Sequence, residues 1–315
     1  MPVLLAVPNV SEGRDVARIE SLAAAFASGA LMLDRHSDPD HDRTVFTLAG
    51  RRAENVQMGD EIVPSTAGLL DAIRAGAAAA AEGVDMTAYR GAHPAIGALD
   101  VCPLVWLDPA DREAARAAAL EAAEAIGALG VPVFLYGELA TDPGRAERAY
   151  FRNGGLAELW LRMDAGELRP DRGPALPHPH AGATLVTARP PLAAFNIELD
   201  SADAEVAQSV AAGLRESGGG LPGVRAIGLT LASGRAQVST NVHDPLAVPL
   251  GEVVERVRSL AAEIGARPLE AELVGLVPAA AVAGYPADVP IRGFDPAMHT
   301  IESRLAAVTE PPSDA

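Results

Sequence analysis

The chain has 315 residues, of which 49% are hydrophobic and one is a cysteine, and its formal net charge is −17. This length suits one large domain or two ordinary ones, because single cores rarely grow beyond about 250–300 residues. One cysteine excludes an internal disulfide framework and a zinc site built from several cysteines. The negative charge disfavours a protein that binds nucleic acid through a basic surface.

All 25 basic residues are arginines. An anionic substrate would therefore need a local arginine pocket, and a guanidinium suits this role because it grips a carboxylate at two points. No run of the sequence is long and apolar enough to cross a bilayer, and the first residues lack the basic start and cleavage site of a signal peptide. We expect a cytoplasmic protein that binds neither nucleic acid nor membranes.

The first half of the chain is predicted to alternate strands and helices. Its expected elements are a strand at 3–10, a helix at 15–28, strands at 30–36 and 43–50, a helix at 64–83, a strand at 100–107, a helix at 108–127 and a strand at 131–137. The order is β-α-β-β-α-β with an α-β extension. A stretch rich in Pro, Gly and His follows at 165–182, which indicates a linker or a binding loop.

The second half repeats the pattern. Its expected elements are a strand at 191–199, a helix at 201–217, a hairpin of strands at 224–231 and 234–242, a helix at 249–265 and a strand at 270–278. Two copies of the split βαβ motif predict an α/β (α+β) protein with two ferredoxin-like subdomains, at 1–180 and 181–315. Small-molecule sites favour crevices between domains, so we expect the substrate between the two subdomains.

His93 is a candidate general acid–base. It lies in the segment RGAHPAIGALDVCP at 90–103, where Pro94 holds its backbone extended and glycines at 91 and 97 allow bends on either side. A histidine fixed at one spot suits proton transfer, although an exposed loop histidine would fit the same pattern. Asp100 could orient the imidazole, or it could cap a turn.

Two histidines and three aspartates lie within 36–42. Such a cluster could bind a divalent metal, but its spacing matches no known motif and these residue types are typical of hairpin tips. We predict no metal site. Arg43 and Thr44 begin the next strand and are candidates for anion contacts. Asn9 and Asn196 are polar residues in apolar strands; they indicate either a binding site or hydrogen bonds within the sheet.

Seven segments, in chain order, resemble the formiminotransferase domain of the formimidoyltransferase-cyclodeaminase family. They are VPNVSEGR at 7–14, HPAIGALDVCP at 93–103, VPVFLYGE at 131–138, GAT and AR within 182–189, AFNIEL at 194–199, AQVSTN at 236–241 and LVGLVP at 273–278. The resemblance runs from about residue 3 to residue 280. Because the segments keep their order over nearly the whole chain, they are specific for the family.

The resemblance implies transfer of a formimino group from N-formimino-L-glutamate to N5 of tetrahydrofolate, the co-substrate, in histidine breakdown. It implies that His93 is catalytic and that the loop at 173–184 contacts folate. It also implies a homodimer and, as a possible partner, a separate cyclodeaminase. Arg43, Arg152 and Arg189 are candidates for the substrate carboxylates. The full set expected to bind substrate or folate is Asn9, Arg43, Thr44, Gly173, Pro174, Gly182, Ala183, Thr184, Arg189 and Asn196.

Three alternatives stay open. The family pattern often has Glu and Arg beside the histidine, where this chain has Ala92 and Ala95. This departure would suit a folate- or pterin-binding relative without transferase activity. The 36–42 segment would suit a metal-dependent formiminoglutamate hydrolase. A subunit that only binds a cyclodeaminase is the third alternative.

Overall fold

The computed structural model describes residues 3–39, 41–50, 65–91, 94–231 and 233–309. The chain divides into two compact units between Pro190 and Pro191, and the second unit comprises Pro191–Ala307. The sequence predicts this boundary ten residues earlier, at 180/181. Among the described residues, no helix is long and apolar enough to cross a membrane.

The first unit is built on one seven-stranded sheet. Its elements are β1 (Leu4–Ala6), β2 (Asn9–Val10), α1 (Val16–Ala27), β3 (Ala30–Asp38), β4 (Arg43–Gly50), α2 (Thr66–Gly83), β5 (Leu99–Trp106), α3 (Arg112–Gly127), β6 (Val133–Leu135), α4 (Ala149–Arg152), α5 (Gly155–Asp164) and β7 (Thr184–Arg189). The predicted strand at 3–10 is two short strands, β1 and β2. Pro8 lies between them and has no N–H to donate to the ladder.

The strands of the first unit pair as the split βαβ motif requires. The strands β1 and β2 together occupy one position, antiparallel to β4 on one side and to β5 on the other, and β3 pairs with the free side of β4. This confirms the predicted β-α-β-β-α-β arrangement. Beyond it, β5 is followed by β7 and then β6, both in parallel pairing.

Strand β7 is missing from the sequence prediction. Its residues Thr184 to Ala188 are all buried, so it lacks the alternation that marks a half-exposed strand. It lies between β5 and β6, where Leu185 pairs with Val101 and Thr184 pairs with Val133. The first unit therefore extends through β7, which accounts for the ten-residue difference in the boundary.

Helices pack along one face of the first sheet and on the opposite face of its β5–β7–β6 part. On one face α1, α2 and α3 bury a cluster that includes Phe26, Phe46 and Ile73. The short helices α4 and α5, which the sequence does not predict, cover the opposite face. There the rings of Phe134 and Phe151 lie 5.1 Å apart.

The second unit has a four-stranded antiparallel sheet in the order β11-β8-β10-β9. Its elements are β8 (Ala193–Leu199), α6 (Ala204–Leu214), β9 (Val224–Thr230), β10 (Ala236–Val242), α7 (Leu250–Ala262), β11 (Pro268–Val274), α8 (Pro296–His299) and α9 (Ile301–Thr309). With the β8 strand central and the two helices as crossovers, this is the ferredoxin-like order. The predicted α/β class with two such subdomains is confirmed.

Side chains along β8 alternate between the two faces of this sheet. Phe195 and Ile197 are fully buried in the core under α6 and α7. Asn196 lies between them in sequence and pairs with Ser239 of β10, so both belong to the face away from these helices. That face is polar around these two residues.

Candidate substrate site

Asp100 is a buried carboxylate near the start of β5, only 2% exposed. Its Oδ1 accepts a hydrogen bond from the backbone N–H of Ile96 at 2.9 Å, and its Oδ2 accepts one from the guanidinium of Arg152, the last residue of α4. A buried carboxylate needs such partners. Asp100 therefore joins the loop after Pro94 to helix α4. Of the two predicted roles, the bond to Ile96 fits the capping of a turn.

Arg43 lies beside this pair, at the start of β4. Burial lowers the pKa of its guanidinium; the charges of Asp100 and, more weakly, Asp38 oppose the shift, whereas those of Arg152 and Arg148 add to it. Three arginines thus share one neighbourhood around a single buried aspartate. The sequence predicts Arg43 and Arg152 as ligands for carboxylates, and the structure brings them together.

Arg189 is the last residue of β7, and its Nη1 donates to the carbonyl of Pro190 at 2.9 Å. The pKa of its guanidinium is lowered to about 10, mainly by burial; Tyr136 raises this pKa and the charge of Arg148 lowers it. Among the described residues, no carboxylate contributes to this balance. Arg189 is thus a partly buried cation close to a second cation.

The charge of Arg148 acts on both Arg43 and Arg189, so four guanidiniums belong to one region of this unit. We name these residues the arginine row: Arg43, Arg152, Arg148 and Arg189. The sequence does not single out Arg148, because a charged residue in an irregular segment has no periodic signal. In a chain of net charge −17, such a concentration of partly buried positive charge has the chemistry to attract an anion with more than one carboxylate.

The segment that carries Arg148 and Arg152 is anchored by Arg145. The Nη2 of Arg145 lies 2.8 Å from Oδ2 of Asp171, which also accepts the backbone N–H of Leu135 at 2.8 Å. The Arg145 guanidinium stacks over the rings of Phe134 and Phe151, 5.8 and 5.5 Å from their centroids. These contacts fix the two arginines against the sheet.

The β3–β4 turn contains the predicted histidine–aspartate cluster. Asp38 is hydrogen-bonded to the His41 ring, and Asp42 accepts the backbone N–H of Gly13 at 3.0 Å. Asp40 lies outside the described residues. Among the residues that are described, no group of three or more His, Cys, Asp or Glu side chains could hold a metal ion.

Two further predicted residues of the first unit are engaged by the protein itself. Thr44 is fully buried, and its hydroxyl donates to the carbonyl of Glu12 at 2.6 Å. Asn9 is partly buried and its amide donates to the carbonyl of Val7 at 2.9 Å. Thr44 thus holds the loop after β2 in place. Asn9 lies in β2, between β5 and β4, and β4 is the strand that begins with Arg43.

The predicted folate loop at 173–184 contains two different environments. Gly173 and Pro174 are exposed, whereas Gly182, Ala183 and Thr184 are buried. Gly182 has a φ of 68°, and a Cβ at this position would lie 2.1 Å from the carbonyl oxygen of Ile96. Glycine is therefore required for packing. The buried side chains of Ala183 and Thr184 do not face a ligand, so any folate contact of these residues would have to involve the backbone.

Asn196 belongs to a hydrogen-bonded chain on the face of the second sheet away from α6 and α7. Its amide nitrogen donates to Glu272 Oε2 at 3.2 Å, and its carbonyl oxygen accepts from the hydroxyl of Ser239 at 2.8 Å. The sequence leaves two explanations for a polar residue here, and these contacts fit the second one, hydrogen bonding within the sheet. The partly buried Glu272 carboxylate, which the sequence does not single out, adds a charge to this face.

Two family models match consecutive parts of the chain. The N-terminal subdomain of the formiminotransferase domain matches residues 3–189, and a second formiminotransferase domain model matches residues 194–286. The chain belongs to the formiminotransferase family. The border between the two matches falls at the end of β7, where the structure divides the chain into its two units.

Relatives in this family resemble the chain over most of its length. Glutamate formimidoyltransferase from Streptococcus pyogenes serotype M1 is 35% identical over 95% of the chain and 97% of the relative. The protein of that name from Thermoplasma acidophilum is 36% identical, over 94% and 95%. Formimidoyltransferase-cyclodeaminase from Sus scrofa is 38% identical, and the match covers 86% of the chain but 49% of the relative.

His93, the histidine of the formiminotransferase motif, lies outside the described residues, as does Ala92. Its role stays a prediction. Described residues on both sides contact the rest of the first unit. A Cβ on Gly91 would lie 2.2 Å from the Tyr89 hydroxyl oxygen, and Ile96 is bound by Asp100. The segment that contains the motif is therefore linked to the arginine row by Ile96, whose backbone N–H binds Asp100, the ion-pair partner of Arg152.

Proposed function

We propose that this chain is a glutamate formimidoyltransferase, which transfers the formimino group of N-formimino-L-glutamate to N5 of tetrahydrofolate. The observation that carries the proposal is the match to relatives of that name from end to end, at 35% and 36% identity. Both substrates carry carboxylates, and the arginine row supplies the guanidiniums that such groups need.

The arginine row suits two carboxylate-bearing substrates. Arg43 and Arg152 flank Asp100, near the chain that leads to His93, and we assign them to the donor glutamate. Arg189 is the last residue of β7 and its guanidinium is within range of the Arg148 charge, and we assign these two to the glutamate tail of the folate. The exposed part of the loop at 173–184, with Gly173 and Pro174, and the amides of Asn9 and Asn196 remain the proposed contacts of the other substrate groups.

We assign proton transfer to His93. The N5 nitrogen loses a proton as its bond to the formimino carbon forms, and the leaving nitrogen of glutamate gains one as its bond breaks. One imidazole can accept the proton from N5 and then donate a proton to the leaving nitrogen of glutamate. Such proton transfer typically contributes about 10²–10⁴-fold to the rate. Orientation of two bound substrates can supply roughly 7–11 kcal/mol more. Asp100 acts as a positioning residue, through Ile96 and Arg152.

The direct test is an assay of purified protein for 5-formiminotetrahydrofolate. We expect product from the wild type, and a loss of about 10²–10⁴-fold in turnover for His93→Ala. His299→Ala is the matched control, because His299 lies in α8 of the second unit and contacts Asp295 and Phe294. Tetrahydrofolate binding without any product would instead identify a binding protein. A His93→Ala variant with most of its rate would remove His93 from the mechanism.

We further propose a cytoplasmic homodimer that hands its product to a separate cyclodeaminase. The partner is proposed because relatives named formimidoyltransferase-cyclodeaminase are about twice as long as the matched region, and the location because the single cysteine, Cys102, is a free thiol. The homodimer is proposed from the family resemblance alone. Sedimentation of the purified protein would test the dimer. Co-purification with a cyclodeaminase from the source cells would test the partner.

A further inference from the structure

Asp42 ends the turn between β3 and β4 with a left-handed backbone. Its φ is 51°, and within the described ranges no other residue except glycine has a positive φ. L-residues avoid this region because Cβ approaches the next carbonyl, although Asp and Asn enter it more readily than most. The next residue is Arg43, a member of the arginine row. The direction in which Arg43 leaves the turn therefore depends on this unusual conformation.

The Asp42 carboxylate is held by a segment distant in sequence. Its Oδ1 accepts the backbone N–H of Gly13 at 3.0 Å, and its Oδ2 lies 3.4 Å from Nη1 of Arg14. The side chain is only 14% exposed. Gly13 packs so closely on the turn that a Cβ there would lie 2.2 Å from the carbonyl oxygen of Asp38 and 2.5 Å from the nitrogen of Arg43. The loop after β2 thus fixes both ends of the turn.

The same turn contacts the chain that leads to the predicted catalytic residue. The carbonyl of His41 accepts a hydrogen bond from the Tyr89 hydroxyl at 3.0 Å. A Cβ on Gly91 would lie 2.5 Å from that same carbonyl oxygen, so the backbone at Gly91 rests on the turn. Gly91 precedes His93 by two positions. A shift of the turn would therefore move both Arg43 and the segment 89–91, which contacts the turn.

We propose that Asp42 is a positioning residue that acts through Arg43. Its left-handed backbone turns the chain so that the Arg43 guanidinium reaches Asp100 and Arg152, and its bond to Gly13 keeps that conformation. The inference rests on the proposed function, in which Arg43 binds a substrate carboxylate. It assigns to Asp42 a role in substrate affinity without direct contact with substrate.

Three substitutions separate the backbone from the carboxylate. Asp42→Asn keeps an acceptor and a side chain that tolerates the left-handed region, Asp42→Gly keeps only the backbone freedom, and Asp42→Ala keeps neither. We expect KM for N-formimino-L-glutamate to rise about tenfold or more in the Ala variant, less in the Gly variant and least in the Asn variant. The value of kcat should change little, because a carboxylate contact is made equally in the bound substrate and the transition state.

A double substitution shows whether the effect passes through Arg43. If it does, Asp42→Ala combined with Arg43→Ala should raise KM no further than Arg43→Ala alone. Asp244→Ala is the matched control, because the Asp244 carboxylate also accepts backbone N–H groups in a turn, those of Leu246 and Ala247, but in the second unit. This control should lower thermal stability and leave KM unchanged.

A crystal structure of the Asp42→Ala protein provides a readout that does not depend on activity. We expect the Arg43 guanidinium to have moved away from Asp100 and Arg152. An unmoved Arg43, a wild-type KM in Asp42→Ala, or KM changes that multiply in the double variant would each overturn the inference. A wild-type protein without transferase activity would refute the proposed function instead, and the position of Arg43 in the variant would still decide the role of Asp42.

Discussion

Asp100 of β5 and Arg152 of α4 form an ion pair whose side chains are 3% and 10% exposed. The pair connects a strand in the middle of the first sheet to the helix that covers its outer face. Its aspartate also binds Ile96, three residues after His93 in the sequence. Stability and the arrangement of the candidate site therefore depend on the same two side chains.

Removal of the Asp100 carboxylate should be costly. Removing one member of a buried pair typically costs about 3–5 kcal/mol, because the remaining charge, here that of Arg152, loses its ion-pair carboxylate. We expect Asp100→Ala to lower the free energy of unfolding by this amount in urea titrations. The control is Glu216→Ala, which removes the partner of Arg225 in a pair whose side chains are 51% and 43% exposed. That change should cost about 1 kcal/mol or less. Equal losses in both variants would show that Asp100 is not buried as described.

Arg189→Met should stabilise the protein and weaken folate binding. A partly buried guanidinium without a carboxylate partner among the described residues carries a desolvation cost, and Met is an apolar chain of similar length. We expect the free energy of unfolding to rise by about 1 kcal/mol or more in the absence of substrate. Calorimetry should show weaker binding of tetrahydrofolate. A variant that loses stability while keeping its affinity would contradict the assignment of Arg189 to the folate tail.

Gly182→Ala should destabilise the first unit more than Gly130→Ala. Both glycines have positive φ, 68° and 83°, so both changes introduce backbone strain of about 1–2 kcal/mol. Only at Gly182 would the new Cβ also collide with a carbonyl, that of Ile96, whereas Gly130 has no atom within 4 Å of the added carbon. Thermal unfolding of both variants measures the difference. Similar melting temperatures would mean that the chain at Gly182 can move aside.

The overall charge predicts an unusual salt dependence. Screening reduces the repulsion between a chain of net charge −17 and its anionic substrates, while contacts with the partly buried arginine row are screened less. We expect kcat/KM for tetrahydrofolate to rise or stay constant between about 10 and 100 mM salt, as the Debye length falls from roughly 30 to 10 Å. A steep, continuous fall in the wild type would indicate guidance by a broad basic surface.

Most of the helices and strands can be predicted from the sequence, because apolar residues recur with the period of a helix or a strand wherever one face of the element is buried. Helix α1 begins where Asp15 accepts the backbone N–H of Arg18, and the hairpin of β9 and β10 turns near Gly234, as expected. Strand β7 escapes prediction because burial on both faces removes its alternation. The short helices α4 and α5 escape it because glycines at 154 and 155 interrupt their pattern.

The candidate site could be predicted only in part. Arg43 and Arg189 follow from the need for carboxylate ligands, and His93 from its motif. The Asp100–Arg152 pair could not be predicted because its two residues lie 52 positions apart in the sequence. Arg148 could not be predicted because it lies in an irregular segment without a periodic pattern. The left-handed backbone of Asp42 likewise accompanies a hydrogen bond to Gly13, 29 positions away, which no local pattern predicts.

The insertion of β7 between β5 and β6 also constrains how the chain is synthesised and folded. Both of those strands leave the ribosome before β7, and β6 pairs with no other strand among the described residues. Until residue 189 has emerged, the edge of β5 is open and β6 has no place in the sheet, a state that favours pairing with other chains. A truncated chain that stops at residue 180 would remain in that state permanently, so we expect it to aggregate, whereas one that extends to residue 190 can close its sheet.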